Sequence, residues 1–319
     1  MSEIESKGKI GIIGSGLIGK SWAMIFASAG YEVVIYDIIS SQVKDALTSI
    51  KDQLADFSKS GMLRGSLTQE EQFSLITGCN SLEETVKDAF YVQECVPEKC
   101  ELKAQVFKDI EPFVRDDTIL ASSTSCTQPA DFTRDLKRRS QCIIAHPTNP
   151  PYYALLVEVI PSEWTKPEVV ERTKNLLEEI GQVPVCIKKM VPGFVSNRLQ
   201  YAIICECWRL VTDGVISAED IDKVMWAGLG TRYAFMGPLE VMHLNSEGFE
   251  NGVERYGSSI ERVSSTFGPI PSFSGEGLKE VVNQMNERVP LDQLEERRKW
   301  RDRRLAALAK LKQELSKVE

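Results

Sequence analysis

The chain holds only two histidines, so imidazole chemistry has few places to be. His146 closes the apolar run Cys142-Ile-Ile-Ala145 and precedes Pro147-Thr148-Asn149-Pro150. That puts it at the carboxyl end of a strand, where ligands of open α/β sheets bind; an ordinary loop histidine is the plainer alternative. Twelve residues on, Glu158 interrupts the apolar run from Leu155 to Ile160. A carboxylate in such a strand is costly to bury without a partner. An imidazole would serve: Glu158 accepts from one ring N–H, fixes the tautomer and leaves the other nitrogen as a general base. A lysine or arginine from elsewhere would serve burial equally well. Ser125, ending the run from Ile119, and Asn197, early in a helix after Gly193, add polar groups able to hold a carbinol oxygen. Together these suit removal of a hydroxyl proton while a hydride departs from the same carbon. His243 lies between Met242 and Leu244 and reads as a packed structural histidine.

A departing hydride needs an acceptor, and the N-terminal segment is built to hold one. Gly14-Ser15-Gly16-Leu17-Ile18-Gly19 follows the apolar run Ile10–Ile13 and opens a helical pattern. Gly14 allows the tight turn out of the strand, Gly16 lets backbone approach a pyrophosphate, and Gly19 lets the helix pack near the strand. The helix beginning at Leu17 and Ile18 points unpaired N–H groups at the phosphates. Asp37 closes the next apolar run, Val33–Tyr36, 18 residues beyond Gly19. A carboxylate there accepts hydrogen bonds from a ribose diol and repels a 2′-phosphate, so NAD is expected rather than NADP. A lone glycine pattern of this kind is weak; strand, helix, second strand and acid in register make it specific.

Stepping outward, strand-like runs fall at 9–13, 32–37, 90–96, 118–123, 141–145, 156–160 and 183–188. Helical patterns at 17–29, 40–60, 68–76, 98–112 and 167–180 separate them. The alternation predicts an α/β fold with a Rossmann-type, doubly wound, mostly parallel sheet. Near Pro192 the strand patterns stop, and helical periodicity runs through 193–213, 217–228, 248–266, 274–288 and 291–316. The expected organisation is an NAD-binding domain over 1–191 and an all-helical substrate and dimerisation domain over 192–319. A net charge of −8 argues against nucleic acid or an anionic membrane as the main partner. No apolar run reaches the roughly 18 residues of a spanning helix. The first residues show neither a signal-peptide core nor an Arg-rich presequence, so a cytoplasmic location is expected. Eight cysteines without a CxxC pair read as reduced thiols, with Cys142 and Cys186 as small core residues of strands. With so few histidines, no metal site is expected.

With those motifs in place, the whole chain resembles the 3-hydroxyacyl-CoA dehydrogenase superfamily. Gly14–Gly19, Ser122-Ser-Thr-Ser125, His146-Pro-Thr-Asn149-Pro-Pro, Glu158 and Gly193-Phe-Val-Ser-Asn197-Arg carry the resemblance. It implies that His146 is the base, that Glu158 pairs with it, and that Ser125 and Asn197 contact substrate. It also implies places for Glu98 and Lys103 near the nicotinamide, although an exposed helix-start pair would look the same. Longer stretches, among them Gln93–Glu98, His146–Tyr153, Arg198–Ile204 and Gly230–Glu240, are similar to the lambda-crystallin branch of that superfamily. That similarity implies NAD-dependent oxidation of L-gulonate to 3-dehydro-L-gulonate, in the uronate cycle. Arg232 then stands where hydroxyacyl-CoA relatives generally carry an apolar or small residue. A guanidinium can hold a carboxylate bidentately, so Arg232 is expected to anchor the substrate carboxylate from an interhelical loop. An ion pair to Glu240 or another acid is its alternative. Two other readings stay open. One is a short-chain 3-hydroxyacyl-CoA dehydrogenase in which Arg64, on a surface loop, serves a CoA phosphate. The other is a structural lens crystallin with residual activity. Members of the superfamily usually dimerise through the helical domain, so a homodimer is expected.

Overall fold

The computed structural model describes residues 6–315. Eight strands, β1 (Lys9–Ile13), β2 (Glu32–Tyr36), β3 (Ile76–Cys79), β4 (Tyr91–Glu94), β5 (Ile119–Ser122), β6 (Cys142–Pro147), β7 (Leu156–Pro161) and β8 (Val183–Cys186), form one sheet. Their order is β3-β2-β1-β4-β5-β6-β7-β8. Every neighbouring pair is parallel except β6 and β7. This is the Rossmann-type, doubly wound arrangement that the alternating pattern predicts. β4, β5 and β6 are buried along their whole length, which is why they read as unbroken apolar runs rather than alternating ones.

Seven helices accompany the sheet: α1 (Leu17–Ser28), α2 (Ser40–Lys59), α3 (Gln69–Ser74), α4 (Leu82–Val86), α5 (Cys100–Ile110), α6 (Pro129–Thr133) and α7 (Pro167–Glu179). α2 buries Val43, Ala46, Ile50, Leu54 and Phe57, a stripe at steps of three and four that holds it on the sheet. Thr68 and Glu71 form the capping box that starts α3. The helix expected over 68–76 ends early, and Ile76 opens an unexpected edge strand, β3. Only Ile76 of its four residues is buried, so the segment carries no apolar signal. At the other edge, β8 leaves Val183, Val185 and Cys186 exposed. Cys186 is therefore not the core residue its apolar neighbours suggest, because an edge strand is covered by only one neighbour. Cys142, on the central strand β6, is buried as expected.

The remaining helices are α8 (Ser196–Thr212), α9 (Ala218–Lys223), α10 (Gly230–Tyr233), α11 (Pro238–Leu244), α12 (Phe249–Ser264), α13 (Gly275–Arg288) and α14 (Leu294–Leu315). Residue 316, the expected end of the last helix, lies outside the described residues. Two compact units result: the chain through Arg198 together with Leu305–Lys310, and Leu199–Arg304 together with the chain from Leu311. Among the described residues no helix is long and apolar enough to cross a membrane.

Candidate active site

The antiparallel pairing of β6 and β7 sets Ile144 opposite Ile160, Ala145 opposite Val159 and His146 opposite Glu158. Side chains paired in this way stand on the same face of the sheet, about 4.5–5.5 Å apart at Cβ. The spacing along the chain thus becomes a contact across it. His146 Nδ1 and Glu158 Oε2 are 2.8 Å apart. Glu158 is 1% exposed and His146 9%. The ring of Phe194 packs edge-on against the imidazole, with centroids 5.4 Å apart. Nε2 of His146 has no hydrogen-bond partner among the described residues and is the nitrogen left for a ligand.

The rest of Glu158 is held from the start of α8. Val195 N–H and Ser196 N–H each donate to Oε1 at 2.9 Å, and Ser196 Oγ donates to Oε2 at 2.6 Å. Gly193 (φ +75°) and Phe194 (φ +53°) both occupy the left-handed region just before these donors. Two such residues in succession turn the chain so that neighbouring N–H groups face one anion. Burial alone would raise the Glu158 carboxyl; donation by His146, Ser196 and Val195 outweighs it and brings the pKa down to about 2. An ionised carboxylate takes the Nδ1 proton as its donor, so a neutral ring keeps its lone pair on Nε2.

A pH dependence follows. A carboxyl lowered from its ordinary value contributes stability that is fully present above about pH 4.5 and is lost as pH falls toward 2. In denaturant melts, Glu158→Gln is therefore expected to be less stable than the parent by a constant amount from pH 7 to about pH 5. Below that the gap should close. A gap that stays constant down to pH 2 would show that the carboxylate is not held in this way.

Beside this pair, Ser122 at the end of β5 and the residues after it are held by groups from β4 and the segment that follows it, and by Trp22. Ser122 Oγ donates to Glu94 Oε2 at 2.5 Å. Ser123 Oγ accepts from Gln93 Nε2 at 2.7 Å and Trp22 Nε1 at 3.2 Å. The hydroxyls of Thr124 and Thr127 donate to Glu98, and Ser125 N–H reaches its other oxygen at 3.3 Å. Burial would raise the Glu98 carboxyl, but these donors and the nearby Lys103 charge hold it below the usual carboxylate range. Asn197 Nδ2 donates to the Ser125 carbonyl at 3.0 Å, which brings the two residues together and leaves the Ser125 hydroxyl without a partner among the described residues. Lys103 departs from expectation. It is 1% exposed, and its ammonium donates to Glu94 at 3.0 and 3.2 Å and to the Val96 carbonyl at 3.4 Å. Glu98 lies farther off, at 3.8 Å. Lys103 is not half of an exposed pair: fully buried Glu94 holds it.

The glycine turn has the shape its spelling implies. Gly14 has φ +101°, and a Cβ on Gly19 would lie 1.9 Å from the Gly14 carbonyl oxygen. A Cβ on Gly16 would meet nothing within 4 Å, which leaves that approach open. α1 carries no acidic residue in its first turn and no side-chain cap, so its N–H groups remain available to an anion. Leu17 is exposed beside them, while Ile18 packs on the core. A cavity of about 560 Å³ adjoins the turn, with Gly14, Gly16, Asp37, Ile38, Val96 and Leu102 in its wall. Asp37 is fixed at its rim by Ser15 N–H and Oγ, each at 2.9 Å, and by Ile39 N–H at 3.1 Å. Mostly apolar walls, with Asp37 beside the glycine turn and Asp109 also in the lining, fit a purine whose ribose diol meets Asp37. Gly19→Ala is expected to lower stability by about 1–3 kcal/mol, read from the midpoint of a urea melt. Gly16→Ala should instead melt like the parent and lose NAD affinity in a fluorescence titration.

Residues 9–190 match the model of the 3-hydroxyacyl-CoA dehydrogenase NAD binding domain, and residues 193–262 match that of the 3-hydroxyacyl-CoA dehydrogenase C-terminal domain. The chain belongs to the 3-hydroxyacyl-CoA dehydrogenase family. It is an NAD-dependent oxidoreductase of that family. The lambda-crystallin homolog of Homo sapiens is 50% identical over 310 residues, 97% of this chain and 97% of that one. The L-carnitine dehydrogenase of Oceanobacillus iheyensis is 34% identical over 278 residues, 86% of this chain and 88% of that one. The structure of 5-formyl-3-hydroxy-2-methylpyridine 4-carboxylic acid 5-dehydrogenase, an NAD-dependent dismutase, is 27% identical with a TM-score of 0.81, covering 95% of this chain and 97% of that one. The resemblance to the lambda-crystallin branch is thereby borne out.

Two arginines of this 3-hydroxyacyl-CoA dehydrogenase family member sit otherwise than expected. Arg64 is not a free surface cation. Its guanidinium donates to the carbonyls of Ile180 and Gly181 and to Gln182 Oε1, at 2.8–2.9 Å. Desolvation by burial lowers its pKa from the usual arginine value. Arg232 lies not in a loop but in α10, which continues from a π-helical turn over Val224–Leu229. α10 ends at Tyr233, and after a short turn Gly237 is extended and Pro238 starts α11. Among the described residues Arg232 has no ion pair, with Glu240 or any other acid. It lines a second cavity, within the helical unit, beside Asn245 and Tyr256.

Proposed function

We propose that this NAD-dependent dehydrogenase oxidises the 3-hydroxyl of a small free hydroxy acid, with L-gulonate as substrate and 3-dehydro-L-gulonate as product. The observation that carries the reading is the buried His146–Glu158 pair with Nε2 left unpartnered. In this reading the Ser125 hydroxyl and the Asn197 amide position the carbinol oxygen, and Nε2 of His146 takes its proton. Glu158 holds the ring in one tautomer and stabilises the imidazolium that forms. NAD, when bound, supplies the hydride acceptor, with Gly14–Gly19 and Asp37 gripping it and Glu98 on the nicotinamide side. Run backwards, the same nitrogen returns the proton.

The free-acid substrate rests on three supports. Arg232 is a guanidinium without an acid partner among the described residues, placed in a cavity wall. Arg64, the cation weighed for a CoA phosphate, is consumed by backbone carbonyls. Both the carnitine and the pyridine-carboxylate dehydrogenases are named for substrates that carry a carboxylate. A cytoplasmic place in the uronate cycle goes with this substrate. So does a homodimer formed through the helical domain over 192–319. That unit buries few large side chains and leaves Trp226, Phe235, Leu239 and Val263 about half exposed or more, a surface that association would cover.

The test is NADH formation from NAD and L-gulonate at alkaline pH, beside reduction of acetoacetyl-CoA by NADH. Turnover of gulonate with little on the thioester supports the reading, and Arg232→Met should then raise KM for gulonate at least about tenfold, the loss of a charge-assisted pair. Faster turnover of the thioester moves the substrate to CoA esters.

A further inference from the structure

Glu158 steadies His146 through one oxygen, and that oxygen is shared. Ser196 Oγ–H meets Oε2 at 2.6 Å, while His146 Nδ1 meets it at 2.8 Å. We propose that Ser196 is a positioning residue of the reaction: its hydroxyl competes with the imidazole for Oε2 and so sets how strongly Glu158 draws on Nδ1–H. The proposal rests on the reading of His146 as the base.

Three features support it. An acceptor oxygen divides its lone-pair density among its donors, so a second short donor weakens its hold on the first. Ser196 is the first residue of α8, and its hydroxyl turns back to β7 instead of bonding within its own helix. The neighbouring residue, Asn197, holds the Ser125 carbonyl, so a single helical turn fixes both the base and the group beside the carbinol oxygen. Other ionisable groups are disposed around the pair without touching it. Cys186 lies on β8 beside β7, and Lys188 and Lys189 follow it. Glu94, Glu98 and Lys103 form their own cluster at the tips of β4 and α5. Among the described residues none of them makes an ion pair with His146 or Glu158.

Ser196→Ala removes the hydroxyl and Ser196→Thr keeps it. The first readout is the downfield proton resonance of a histidine Nδ1–H bonded to a carboxylate. With two histidines in the chain, its absence from His146→Gln assigns it. In Ser196→Ala this resonance is expected to move farther downfield, and in Ser196→Thr to stay near the parent position. The second readout is steady-state kinetics with NAD and L-gulonate. Ser196→Ala should lower kcat by about three- to tenfold, because Glu158 loses one of the donors that fix its own placement, with both KM values held. Ser196→Thr should recover most of it. Ser196→Gly, which also lacks the hydroxyl, should match Ser196→Ala and guards against a folding defect peculiar to one variant. An unmoved resonance with parental kcat in both hydroxyl-free variants overturns the proposal. Failure of the underlying reading looks different: His146→Gln would then keep its turnover whatever Ser196 does.

Discussion

With L-gulonate as the proposed substrate, replacing His146 with glutamine is expected to lower kcat about a thousandfold, near the middle of the range for loss of a positioned general base. Glutamine can keep a hydrogen bond to Glu158 but cannot take a proton. The pair lies at the end of β6, so the change should leave the sheet and the cavity beside the glycine turn intact. KM for NAD should accordingly stay at the parental value while kcat and kcat/KM fall together, the pattern of an interaction made only in the transition state. Initial rates of NADH formation provide the check. A variant keeping more than about a tenth of the parental kcat would show that another group removes the proton.

The second large effect is on stability. Lys103→Met is expected to cost about 3–5 kcal/mol, because it leaves the carboxylate of Glu94 buried without its cation. Glu94 is fully buried, and the remaining donors, Ser122 Oγ and Val96 N–H, carry no charge. Burial already pushes the Glu94 carboxyl up, with Lys103 the foremost influence holding it down. Without Lys103 the carboxyl takes up a proton more readily, so the loss should shrink as pH falls. Urea melts at several pH values test this. The double variant Glu94→Gln/Lys103→Met should recover part of the loss, since removing both partners leaves no orphaned charge. If Lys103→Met kept parental stability and raised KM for NAD instead, the lysine would be the cofactor contact that the family resemblance implies.

These two residues mark where sequence reasoning reaches and where it stops. Glu158 is legible because a lone carboxylate in an apolar strand demands a partner, and a strand-ending histidine is near at hand. Lys103 is not, because its partner depends on register. Glu94 faces Ser122 across β4 and β5, and only that pairing shows it sealed inside. The sheet is legible wherever a strand is buried on both faces, and β3 is missed where a single isoleucine carries the burial. Ser196 escapes notice for another reason: a hydroxyl at a helix start has an ordinary local use, and nothing in its neighbours says that it turns away. Arg64 looks like a loop cation because its acceptors are backbone carbonyls more than a hundred residues on.

The β6–β7 hairpin also governs how the length of this chain can vary. Side chains alternate between faces along a strand, so one residue inserted between Leu156 and Glu158, or deleted there, would turn the carboxylate to the opposite face of the sheet. The same event within Cys142–Ala145 would do this to the imidazole. Within this hairpin, insertions and deletions compatible with turnover are therefore expected in the connection between Pro147 and Leu156. A library of single-codon insertions through residues 142–161, screened for NADH formation, would trace that boundary at the resolution of one residue.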